Sequence, residues 1–334
     1  MRSGWRTTIL VAAPVVSGCR GPQNVLDPAA VQGDALLALL NLVLAVGALA
    51  YIAVLCALAW SVWRTRGSAS APTAAKPGDA WIDRGMLAWS LVVVVGLLVI
   101  ASASFLVDRS FANIEPRPTL EVRVTGHQWW WRLEYRDPGG DGWIEAANEL
   151  HLPRGRTARL LLRSEDVIHS FWVPNVAGKL DLVPGRTNAL DVTPHREGWF
   201  RGQCAEFCGT QHAHMSFDVR VDDPVAFDAW LDAQRRPRDA PGDAVLARGE
   251  QVMGGACAAC HAVRGSRAVG RSGPDLTHVG SRRSIAAGTL PMNRGALQGW
   301  ISQPQVLKPG TLMPAIELSA DDANAVAAYL MSLR

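Results

Sequence analysis

Cys204-Ala205-Glu206-Phe207-Cys208-Gly209-Thr210-Gln211-His212-Ala213-His214-Met215 is the stretch on which the reading of this chain turns. Thiols, imidazoles and a thioether crowd into one short loop, beside a glycine that permits a tight turn. Soft sulfur donors next to imidazole suit copper or zinc, and a thioether leans toward copper. Two plainer readings compete: a disulfide between Cys204 and Cys208 in an oxidising compartment, and a zinc site of two cysteines and two histidines. Neither gives Met215 or the intervening Glu206 a reason to be there. By itself the loop leaves copper, zinc and a disulfide open.

The segments around the loop read as strands. Leu120, Val122 and Val124 alternate with polar residues, as do Met215, Phe217, Val219 and Val221. Short β-type runs at 157–162, 171–173, 187–192 and 198–201 are separated by Pro, Gly and Asn, a spacing that predicts a small all-β sandwich or barrel. A closing helix is expected over 224–234, with Val225, Phe227, Trp230 and Leu231 as its buried face. The polar, Pro-containing stretch 235–243 then reads as a linker.

Upstream the chemistry is that of a membrane. Residues 35–63 and 85–107 carry no charge, and each run exceeds the ~20 apolar residues that cross a bilayer as a helix. Between them Arg64, Arg66, Lys76 and Arg84 outnumber Asp79 and Asp83, which places the connector on the cytoplasmic side and everything after Asp108 outside. The N-terminus has the form of a secretion signal over 1–18: Arg2 and Arg6, an apolar run, then Val16-Ser17-Gly18-Cys19, where Cys19 resembles a bacterial lipidation site. With a net charge of +3 and no basic-aromatic stripe, nucleic acid is not an expected partner.

The C-terminal part carries a second motif. Cys257-Ala-Ala-Cys260-His261 reads as covalent c-type haem attachment, with His261 as one axial ligand. Met292 and Met313 are the candidates for the other. Thr311-Leu312-Met313-Pro314 resembles the ligand loop of small cytochromes c, which selects Met313, and Gly273-Pro274-Asp275-Leu276 resembles the loop whose proline carbonyl fixes the proximal histidine. Packed helices are expected over 243–253 and 319–333, the second capped by Ser319 and Asp322 and burying Val326, Leu330 and Leu333.

Cys-x-Glu-x-Cys-Gly-x-x-His-x-x-Met resembles the copper A loop of cytochrome c oxidase subunit II. Gly126-His127-Gln128-Trp129-Trp130-Trp131, Val167-Ile168-His169-Ser170-Phe171 and Lys179-Leu180-Asp181-Leu182-Val183-Pro184-Gly185-Arg186 resemble the same family in the same order. With the fused haem motif, the likeness extends to the caa-type oxidases. It implies a two-helix transmembrane hairpin (19–110), an all-β Greek-key cupredoxin domain (111–234) and an all-α class I cytochrome c domain (244–334).

The resemblance further implies a dinuclear copper centre. Cys204 and Cys208 would bridge the ions, His169 and His212 would bind one each, and Met215 and the Glu206 carbonyl would be weaker ligands. It implies magnesium at the Glu206 carboxylate, electron entry at a surface Trp129, oxidase subunits I and III as partners, and a cytochrome c or cytochrome bc complex as donor. The setting implied is the bacterial inner membrane, with both redox domains on the periplasmic face. Trp130 stands where the family more often has tyrosine, and Asp83 is not in register for a proton-path carboxylate. Dioxygen chemistry and most proton pumping belong to subunit I. An electron port of a related nitric oxide reductase and a copper-delivery lipoprotein are the alternatives; a quinol oxidase subunit would lack the copper ligands. Of six cysteines, Cys19 goes to lipid, Cys56 lies in a span, two go to copper and two to haem, so none remains for a disulfide.

Overall fold

The computed structural model describes residues 21–66, 80–112 and 118–334. The expected signal segment and Cys19 lie outside them, as does most of the connector between the spans. Two long helices come first, α1 (Val31–Thr65) and α2 (Ala80–Ala112). Both outrun the uncharged stretches that announce them, because the extra turns carry polar ends: Asp34 and Arg64 on α1, Asp83, Arg84, Asp108 and Arg109 on α2. Their apolar side chains, Leu49, Ile52, Leu58, Leu91, Leu97 and Leu106 among them, are exposed along the lengths of both helices. A helix polar only at its ends and apolar elsewhere is matched to lipid rather than to a protein core.

The start of α1 is seated on the β-domain. Ala29 N donates to Asn175 O at 2.6 Å, Val31 N to Thr193 O at 3.1 Å, and Thr193 N to Gln32 Oε1 at 2.9 Å. His195 Nε2 adds a contact to Asp34 Oδ2 at 2.8 Å. These bonds hold the copper-loop domain directly above the membrane anchor.

Ten strands form a two-sheet sandwich. One sheet holds β1 (Leu120–His127), β2 (Trp130–Arg136), β3 (Trp143–Ala147), β5 (Ala158–Ser164) and β8 (Asn188–Val192) in the order β3-β2-β1-β5-β8. The other holds β4 (Glu149–Pro153), β6 (His169–Trp172), β7 (Leu180–Leu182), β9 (Gly198–Cys204) and β10 (Ser216–Asp222) in the order β4-β10-β9-β6-β7. β1–β5 and β4–β10 run parallel, the other neighbours antiparallel. Alternate side chains from both sheets make the core: Val122, Val124, Trp131, Leu133, Tyr135, Leu160, Leu162, Phe171, Phe217 and Val219. Trp131 sits at its centre, 5.1 Å from the Phe217 ring and 6.2 Å from Phe171.

α3 (Pro224–Arg235) closes the sandwich and begins at an Asp223 cap. Its buried residues are Phe227, Leu231 and Gln234, with Trp230 packed at the edge. The expected place of Val225 in that face is wrong: it is 76% exposed. With Pro224 as first residue, the inward stripe runs through 227, 231 and 234, and Val225 falls on the opposite side.

The C-terminal module is helical: α4 (Ala244–Val252), α5 (Arg294–Ser302), α6 (Pro304–Leu307) and α7 (Ala320–Ser332). α4 crosses α7 so closely that a Cβ on Gly249 would stand 2.2 Å from Ala325 O. Ser319 caps α7 by accepting from Asp322 N at 3.1 Å, and Val326, Leu330 and Leu333 are buried as expected. The sequence announces neither α5 nor α6; α5 walls off one side of the haem-motif cavity through Leu297, Trp300 and Ile301.

Candidate functional site

The copper-type loop leaves β9 at Cys204 and returns to β10 after Met215, so both of its ends are fixed in the second sheet. His169 opens β6, the neighbour of β9, and is fully buried. Strand adjacency therefore brings a residue 35 positions upstream next to the loop. Cys204 Sγ lies 3.7 Å from Cys208 Sγ, too far for a disulfide, and both cysteines are free. His169 Nδ1 is 3.9 Å from Cys204 Sγ, and His212 Nδ1 is 3.7 Å from Cys208 Sγ. Met215 Sδ is 3.8 Å from Cys208 Sγ, and Glu206 O is 3.2 Å from Cys204 Sγ. The potential donor atoms of His169, Cys204 and Cys208 all fall within 4.8 Å of one another. His214 is turned away, its Nδ1 bonded to Gln211 Oε1 at 2.8 Å.

The surroundings favour a bound cation. The neighbouring Cys208 thiol, with help from His169, holds Cys204 below the ordinary thiol range, while Cys204 and burial push Cys208 up. A bound metal would take both sulfurs as thiolates. Asp166 Oδ1 is 2.7 Å from His169 Nε2 and fixes the ring with Nδ1 toward the thiols. Burial opposes a charged His169, but its bonds to Asp166 and Cys204 outweigh burial and raise its pKa. Asp166 escaped the sequence reading; the only trace of it is an acid three residues before the histidine.

Trp129 closes the loop from the side facing the C-terminal module. Its Nε1 donates to Cys208 O at 3.0 Å, and Gln128 Nε2 donates to the same oxygen at 2.8 Å. Gly209 lies against the indole with φ of 118°, where a Cβ would stand 2.9 Å from Trp129 Cζ2. The expected surface position of Trp129 is not what the full chain shows. It is 8% exposed, because the helical module packs over it.

Between the two modules lies a cavity of about 270 Å³. Cys257, Cys260, His261, Pro274, Leu297, Ile301, Met313 and Ile316 line it from the helical side, Trp129 and Trp130 from the β-domain. Met313 belongs to the lining and Met292 does not. His261 Nδ1 donates to Pro274 O at 2.8 Å, which leaves Nε2 as the lone-pair nitrogen. Burial lowers the pKa of His261, keeping the ring neutral as a metal ligand must be. An apolar slot flanked by two thiols and a neutral imidazole fits a covalently held haem.

Two features of the junction were invisible in the sequence. Lys308 is 2% exposed, and its Nζ donates to Trp129 O at 2.9 Å, His214 O at 2.8 Å and Ala286 O at 3.1 Å. Burial pushes it down to about 7, yet three carbonyl acceptors are a set that only the ammonium form satisfies in full. On the far side of the sandwich His151 is buried between Asp222 (2.7 Å) and Glu149 (3.1 Å) and stacks on Trp230 at 4.0 Å. Glu149 Oε2 also accepts Arg283 N of the helical module at 2.7 Å.

Comparisons with known proteins agree with this anatomy. Residues 137–221 match the family model described as cytochrome C oxidase subunit II, periplasmic domain, and residues 246–334 match cytochrome c. A cytochrome c oxidase subunit 2 of Alkalihalophilus pseudofirmus is 32% identical over 335 residues, covering 96% of this chain and 94% of the relative. The corresponding Bacillus subtilis protein is 29% identical over 268 residues, 74% of each chain. The crystal structure of the periplasmic domain of subunit II of the Bradyrhizobium japonicum cytochrome oxidase is 31% identical, covering 36% of this chain and 97% of that one, with a TM-score of 0.34.

Proposed function

Because the chain belongs to the family of cytochrome c oxidase subunit II, the electron-entry subunit of haem-copper oxidases, we propose that its copper site is dinuclear and that its haem is held at the cavity between the modules. Cys204 and Cys208, each shared between the ions, and His169 and His212, with Met215 and the Glu206 carbonyl as weaker donors, would hold the copper. Cys257 and Cys260 would hold the haem covalently, and His261 and Met313 would be its iron ligands. When bound, these groups would supply one-electron chemistry along a path toward the catalytic subunit. The observation that carries this reading is the pairing of two thiols 3.7 Å apart, each with its own imidazole Nδ1 within 4 Å.

The chain's own residues do the positioning. Asp166 fixes the His169 ring, Pro274 O fixes that of His261, and anchorage of the loop in β9 and β10 resists rearrangement when charge changes. Burial of Cys204, Cys208 and Met215 excludes water from the sulfur donors. Exposed Phe207, Val167 and Ile168, flanked by Glu206 and Lys179, form a rim beside the loop. We assign it to the interface with subunit I. The Glu206 carboxylate, 3.9 Å from Lys179 Nζ, would be this chain's ligand to a magnesium ion at that interface. The setting is the bacterial inner membrane, with subunit III as a further neighbour, a cytochrome c or bc complex as donor, and Cys19 as the lipidated residue.

Metal analysis and electron paramagnetic resonance of the purified full-length chain test the assignment. The expected result is copper and iron in a two-to-one ratio with a mixed-valence dicopper signal that Cys204→Ser removes while the haem band stays. A mononuclear copper signal, or zinc in its place, would overturn it.

A further inference from the structure

A buried lysine normally faces a carboxylate. Lys308 instead meets three main-chain carbonyls drawn from three segments: Trp129 between β1 and β2, His214 in the copper loop, and Ala286 in the haem module. Two of the three belong to the other domain. Next to it Gln211 Nε2 of the copper loop donates to Pro309 O at 2.6 Å. Lys308 also ends α6, whose Gln305 braces the following loop by donating to Thr311 O at 2.7 Å and Met313 O at 2.8 Å. One segment therefore carries the cross-domain anchor, the brace and the methionine that faces the cavity.

We propose that Lys308 is the positioning residue for electron transfer within the chain, locking the Met313 loop of the haem module onto Trp129 and the copper loop in a single docked register. The inference rests on the assignment of haem and dinuclear copper made above. On the copper side, the contact continues from the Trp129 main chain to its indole and then to Cys208 O. A surface ion pair would let the module dissociate and rock in salt; an ammonium shared among buried carbonyls is shielded from salt, and a slip of register within the seam would leave the charge and its acceptors buried without partners. Arg201 to Gly288 O at 2.9 Å, Ser216 to Ala287 O at 3.0 Å and Glu149 to Arg283 N dock the module elsewhere along the seam, so removal of the lysine side chain loosens the register without releasing the module.

The test uses the full chain in its oxidase assembly, comparing the parent with Lys308→Met and Lys308→Gln. After rapid photoreduction of the haem, one electron leaves the haem iron and one arrives at the copper pair, and the two optical changes give the rate. The expected order is parent, then Gln, then Met, with the Met variant slower by roughly tenfold or more. Haem and dicopper spectra and potentials should stay at parental values, and protease cleavage in 236–243 should quicken in the Met variant. The parental rate should be indifferent to salt. A Met variant within about twofold of the parent would overturn the inference, as would a slower rate accompanied by altered spectra in both variants, since that marks a merely structural role. A parent without the dicopper signal would instead refute the site assignment, so the two failures are told apart by the parental spectrum alone.

Discussion

The copper loop and the haem cavity solve the same problem with opposite means. Around the copper loop the donors hang from sheet: Cys204 ends β9, Met215 precedes β10, His169 opens β6, and all three are buried in the largest core of the molecule. The haem cavity is walled by short helices and loops, with Cys260 exposed and Met313 on an irregular stretch after α6. Its own core is small, built on Met253, Val263, Leu297, Ile301, Val326 and Leu330, several of which also line the cavity. The difference teaches where each module gets its order. The sandwich holds its ligands in place by itself, whereas the helical module needs its prosthetic group as part of the core.

The largest effect follows from that contrast. Cys257→Ala with Cys260→Ala should abolish haem attachment and cost the C-terminal module most of its helical circular dichroism, while the dicopper signal persists. A helical module that stays folded without haem would break the comparison. Next comes Trp131→Ala, which empties the centre of the sandwich. Loss of a fully buried tryptophan should cost about 3–5 kcal/mol in denaturant unfolding of the β-domain, with little change in the haem spectrum. Asp166→Asn should act on the copper site alone, lowering metal affinity by about 10–100-fold in a chelator competition because the His169 ring loses its carboxylate partner.

The smallest effect is at His151, whose bonds and ring contacts touch none of the proposed ligands. Burial disfavours its charge, but the bonds to Asp222 and Glu149 prevail and its pKa is raised in the folded state. A raised value means that the stabilisation is fully present below the unfolded pKa of about 6.5 and fades as pH rises through the folded value. The Tm difference between parent and His151→Gln should therefore be widest in mild acid and close toward alkaline pH. A gap that widens with pH would contradict the ion triad.

Much of this was legible in residue order. Soft ligands cluster in one loop, Cys-x-x-Cys-His is a local motif, and uncharged runs announce the spans. What sequence hid were relations made by topology. Glu149–Pro153 alternates polar and apolar residues like a half-exposed strand, yet it is buried throughout, because Glu149 and His151 meet Arg283 and Asp222, partners distant in the chain. Lys308 reads as surface because lysines are, and only the meeting of two domains supplies its carbonyls. The surface position that the family resemblance implies for Trp129 fails for a related reason: the fused module covers that face.

The central claim, that electrons pass from the tethered haem to the copper pair inside one chain, is tested most directly by time-resolved absorption on the intact oxidase. After a sub-stoichiometric electron is delivered, haem oxidation and copper reduction should share one first-order rate that does not change with protein concentration. Copper reduction that precedes haem reduction, or a rate that scales with concentration, would contradict it.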